Sequence, residues 1–129
     1  MSLSSDVHLD ASPEEMQILR NATLLPVVLS IFTADKDKTE NEGPFVFSAP
    51  YLAVMERAIS RIGEDMVITE RELRRRGIVL YGEERNYREV SREYDCRGRR
   101  AKYTLIRGMF GGELELLMDY YLGLYDGRL

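Results

Sequence analysis

The chain has 129 residues, 44% of them hydrophobic and 31% charged, with a formal net charge of −4. That length and balance predict one globular domain and exclude a disordered chain. A lone cysteine excludes an internal disulfide and predicts a reducing, cytoplasmic setting, and a lone histidine excludes His-based triads and two-histidine metal sites within one chain.

Residues 1–11 read as a flexible polar tail that contains His8, followed by a single α+β domain over 12–129. No secretory leader is expected at the start. Ser12-Pro13-Glu14-Glu15 opens the first helix. Ser12 can cap it, Pro13 suits the first helical position, and Glu15 completes a capping box. Met16, Leu19 and Ala22 follow at helical spacing. Pro26 removes a backbone donor, so the firm helix covers 13–24, with 27–33 expected to continue it rather than form a buried strand. The longest apolar run, "LLPVVLSIF" at 24–32, is short of the ~20 residues that cross a bilayer, so no membrane partner is expected.

"ADKDKTENEGP" at 34–44 predicts a polar loop. Asp35, Asp37 and Thr39 have the spacing of a calcium loop, but Glu40 stands where the glycine is required and Val46 where the bidentate glutamate is required, so no metal is expected. "FVF" at 45–47 reads as a short extended piece, and Ser48 as the cap of the next helix. Leu52, Met55, Ile59, Ile62 and Met66 then make an apolar stripe that continues through Thr69 to Leu73. Two readings stay open for 51–76. One is a single long helix. The other breaks at Gly63-Glu64-Asp65 and starts a short helix at Thr69, where Thr69-Glu70-Arg71-Glu72 repeats the capping-box pattern.

The run "RELRRRG" at 71–77 ends that segment, with Gly77 as the left-handed stop. "IVLY" at 78–81 predicts a short strand. Two alternating runs, 89–96 and 99–106, flank Arg97-Gly98, and a two-residue turn there fixes the register of a β-hairpin. Val90 then faces Leu105, Arg92 faces Tyr103 and Tyr94 faces Ala101. On the other side Ser91 faces Thr104, Glu93 faces Lys102 and Asp95 faces Arg100. A last helix is predicted from Gly112 to Tyr125, stopped by Asp126-Gly127. The fold class is therefore α+β: two or three N-terminal helices, a strand and hairpin over about 78–106, and a C-terminal helix. A winged-helix-like arrangement is the alternative form of that order.

Little in this chain carries catalytic chemistry, and no enzyme, catalytic residue or cofactor is expected. Cys96 reads as a small hydrophobe on the apolar hairpin face, with Arg99 opposite it. "RGMFGGE" at 107–113 lacks the spacing of a phosphate loop and reads as a turn. Glu64-Asp65, Glu83-Glu84 and Glu113/Glu115 read as solvated surface.

Charge is segregated, however. Residues 71–107 carry +6 and the remainder −10. This suggests two uses. The first is a non-enzymatic interaction or assembly module that forms a homo-oligomer by matching its acidic and basic parts. The second is a winged-helix-like nucleic-acid binder, or a module for another anionic partner. In it Thr69–Arg76 is the recognition helix and the Arg97-Gly98 hairpin the wing. The anion-contact candidates are Arg71, Arg74, Arg75, Arg97, Arg99, Arg100 and Lys102. The deciding feature is whether Arg74, Arg75, Arg99 and Arg100 share one exposed face without acidic partners.

Overall fold

The structure, a computed structural model, describes residues 10–41 and 49–124. Helix α1 (Pro13–Asn41) and helix α2 (Ala49–Arg75) precede strands β1 (Ile78–Arg85), β2 (Glu89–Cys96) and β3 (Arg99–Ile106). A single 3-10 turn (Arg107–Met109) then leads into helix α3 (Gly111–Leu122). The α+β class and the order of elements are as the sequence implies. His8, the 45–47 piece, the Ser48 cap and the Asp126-Gly127 stop lie outside the described residues.

The start of α1 is the capping box read from its sequence. The Glu15 amide donates to Ser12 Oγ at 3.1 Å, and the Ser12 amide donates to Glu15 Oε1 at 3.0 Å. Pro26 does not end the helix. The polar loop expected from residue 34 is corrected: α1 continues to Asn41. "ADKDKTEN" contains neither Gly nor Pro, so helix propagation is not interrupted before Gly43 in the sequence. A Lys36–Glu40 pair at 3.6 Å, four residues apart, adds to it.

As a continuous helix, α1 is long and apolar enough to cross a membrane by length and composition, and 44% of its most apolar 18-residue window is buried inside the protein.

Helix α2 is unbroken through Gly63 and Thr69, which decides between the two readings left open. No second capping box forms at Thr69, so no separate recognition helix exists among the described residues. Leu73 and Ile62 on its inner side are fully buried. Gly77 ends the segment at φ 82°, its amide donating to the Arg74 carbonyl at 2.9 Å.

The sheet is antiparallel in the order β1-β2-β3. The hairpin register is the one the alternation predicts, from Cys96 opposite Arg99 to Glu89 opposite Ile106. Arg97 and Gly98 both take positive φ, 50° and 91°, as a tight two-residue turn between right-twisted strands requires. β1 extends beyond "IVLY" to Arg85, with an irregularity between Leu80 and Glu83. Arg92 Nε donates to the Tyr81 carbonyl there at 2.9 Å.

The C-terminal helix stops earlier than expected, at Leu122. Gly123 adopts φ 81°, and the Leu124 amide donates to the Asp119 carbonyl at 2.8 Å.

The described chain falls into two compact units. The first joins Met1–Thr23 to Val67–Gly111, the second joins Leu24–Met66 to Gly112–Leu129, and α1 and α2 each contribute to both. The first has a core of Leu19, Ala22, Leu73, Ile78, Tyr94 and Cys96. The second has a core of Leu25, Val28, Phe32, Ala58, Ile62 and Tyr121.

Candidate functional site

Arg97, at the hairpin turn, is the centre of the basic segment, and the structure uses it inside the fold. Its guanidinium donates to both Glu15 oxygens, at 3.2 and 3.1 Å. It also donates to the Arg76 carbonyl at 2.9 Å and to the Asp10 carbonyl at 2.6 Å. One side chain thus ties together the N-terminus of α1, the residue just after α2 and the turn. Glu15 is buried, and its carboxyl is held below the usual carboxylate range, first by the Arg97 hydrogen bonds. The residue that closes the capping box is therefore also the counter-ion of the turn arginine.

Gly77 lies against this site. A Cβ there would meet Arg97 Cγ at 2.9 Å, and the Arg97 amide donates to the Gly77 carbonyl at 2.8 Å. Gly77 is a helix stop that also leaves room for the arginine.

The other arginines of "RELRRRG" divide. Arg76 is half-buried and bonded to Glu72 at 2.9 Å and Glu14 at 3.0 Å. Arg75 forms a two-point contact with Glu72, at 3.0 and 2.6 Å. Arg75 first, then Arg76, lowers the Glu72 carboxyl to about 2. Arg71 and Arg74 are exposed on the outer side of α2 and have no carboxylate partner among the described residues.

Of the hairpin candidates, Arg99 meets Asp10 at 3.0 Å. Arg100 pairs with Glu93 at 3.6 Å and lies 4.0 Å over the Tyr81 ring. Lys102 reaches Glu84 at 4.0 Å. The strand register is as expected, but the ion pairs run diagonally rather than straight across. Asp95 faces Arg100 as expected, and its carboxylate accepts from the Gly98 amide at 2.9 Å. Arg75, Arg99 and Arg100 all have acidic partners, so the unpaired anion face required of Arg74, Arg75, Arg99 and Arg100 does not form. Of the seven candidates, Arg71 and Arg74 have no acidic partner among the described residues.

Cys96 is buried and its thiol is pushed up, mainly by desolvation, the opposite of what a reactive thiolate needs. No group of three or more His, Cys, Asp or Glu among the described residues could hold a metal ion. Among the described residues, the first unit includes two small hollows. One of about 190 Å³ lies beside Tyr94, Cys96 and Arg99, and one of about 200 Å³ beside Arg20, Ile106 and Met109. Both are smaller than the ~300–1,000 Å³ of ordinary small-molecule pockets.

Sequence reasoning passed over the outer faces of the helices. On α2, Val67 and Ile68 are 53% and 58% exposed, next to Arg71 and Arg74. On α3, Leu116 and Tyr120 are exposed next to Glu115 and Asp119. The signal was present in the sequence: each apolar residue lies off the buried stripe of its own helix. The first unit carries 13 basic and 11 acidic residues and the second 5 and 11, so charge segregation persists in the fold.

A protein-family model described as the YhjD protein matches residues 10–125, and the chain belongs to that family. Comparison with curated proteins and with solved structures gave no match.

Proposed function

We propose that this member of the YhjD protein family is a non-enzymatic interaction or assembly module that self-associates in the cytoplasm. One observation carries the reading. Each unit leaves apolar side chains exposed on a helix face and borders them with charge of opposite sign, basic on the first unit and acidic on the second. Exposed apolar groups flanked by complementary charge favour association and help select the partner. The buried, desolvated Cys96 gives no support to a thiol-based catalytic role. The test is light scattering across protein concentration at low salt. A mass of twice the chain or more is expected, and a strict monomer at every concentration contradicts self-association.

Nucleic-acid binding is a second reading, supported by the exposure of Arg71 and Arg74. Six of the nine other arginines in 71–107 are paired with carboxylates, so binding through this segment would use few phosphates. Titration with mixed duplex DNA would then show a salt slope of about −2, against the far steeper slopes of proteins that make 6–10 phosphate contacts. No binding at tens of micromolar protein, at low salt, ends this reading.

A further inference from the structure

At 3.6 residues per turn, Val67, Ile68, Arg71 and Arg74 span an arc of about 120°, opposite the buried Ile62 and Leu73. Glu70 lies at the rim of that arc. On α3, Glu115, Leu116, Asp119 and Tyr120 make the outer face by the same geometry. Tyr120 is pre-positioned: Arg61 donates to its hydroxyl at 2.9 Å and lies 5.1 Å over its ring. Glu115 and Asp119 have no cationic partner among the described residues.

We infer that these two faces dock on each other between two copies of the chain, α2 of one copy on α3 of the second and the reverse. This rests on the self-association proposed above and names its surfaces. Charge decides the pairing. An α2–α2 contact would crowd four guanidiniums, and an α3–α3 contact four carboxylates, at the cost that like-charge juxtaposition carries. Only α2 on α3 neutralises both. The arginines are separated by ~4.5 Å of helix rise and the carboxylates by ~6 Å, so crossing helices can match them. Val67 and Ile68 then cover Leu116 and the Tyr120 ring. Where a two-fold axis relates the copies, the contact is made twice and the assembly is a closed dimer.

The test is sedimentation equilibrium of the full chain at low salt, with helical content checked by circular dichroism. Four samples are compared: the natural sequence, R71E/R74E, E115K/D119K, and an equimolar mixture of the two variants. Each variant alone should dimerise at least ~10-fold more weakly. The mixture should regain natural affinity within about threefold, because both contacts in the mixed dimer are again between opposite charges. A natural-sequence dimer with unaffected variants, or a mixture that stays monomeric, overturns this inference alone. The first of these moves the interface elsewhere, the exposed Tyr87 and Met109 end of the sheet being the next surface to alter. A natural sequence that is monomeric throughout overturns the self-association proposal itself.

Discussion

The two units solve the same problem with different chemistry. The first secures its helix ends and hairpin with charge: Arg97 against Glu15, Arg76 against Glu14 and Glu72. The second packs aliphatic side chains and Phe32 around Tyr121, whose hydroxyl donates to Asp65 at 2.6 Å. A strongly basic run is therefore poor evidence of an anionic partner until the fold's own carboxylates have been assigned. In the first unit they claim most of it. The second unit has few arginines, and its outward carboxylates Glu115 and Asp119 are left unmatched.

The comparison can be sharpened with substitutions, the largest effects first. Leu73→Ala in the first core and Ile62→Ala in the second each remove a fully buried side chain from α2. Each should cost about 3–4 kcal/mol in urea denaturation, because the two cores are equally closed to water. A much smaller loss for either would show that its core can collapse around the gap.

Gly77→Ala should cost about 2 kcal/mol, measured the same way. It combines a left-handed backbone with a Cβ against Arg97. The loss should shrink in an Arg97→Ala background, where the contact is gone.

Glu15→Gln keeps the capping geometry and removes the charge, at a cost of about 1–2 kcal/mol near neutral pH. Glu15 and Glu72 both titrate below 4.5 in the folded protein. Their contribution is therefore complete above that value and is lost as pH falls through the folded values, toward about 2 for Glu72. Stability against pH should be flatter for Glu15→Gln than for the natural sequence over that window. Tyr121→Phe, which removes the one such polar tie described in the second core, should cost about 1 kcal/mol.

How much of this was legible in the sequence differs by element. Local rules specified the capping box, the hairpin register and Gly77, because each depends on residues near one another in the chain. The length of α1 was not legible: residues 34–41 have the polar composition of a loop, but no Gly or Pro among them breaks the helix. The break considered at Thr69 failed because continuing the Leu52–Leu73 stripe keeps Leu73 buried. The fate of the arginines was not legible. Arg97 and Glu15 are 82 residues apart, and no local pattern announces that pairing. The seven anion-contact candidates were not separable by sequence; among the described residues the structure leaves Arg71 and Arg74 without an acidic partner, while Glu72 lies within reach of Arg75.

The central claim is that the basic segment is divided between arginines that hold the fold and arginines that face outward. Urea denaturation of Arg97→Ala beside Arg71→Ala/Arg74→Ala, at a concentration where all are monomeric, tests it most directly. Arg97→Ala should lose about 2–3 kcal/mol, since it strips the buried Glu15 of its hydrogen-bonded counter-ion and leaves only the more distant Arg76, at 3.9 Å. The double variant should stay within about 0.5 kcal/mol of the natural sequence, as exposed side chains without partners do. Equal losses, or a larger loss in the double variant, would contradict the division.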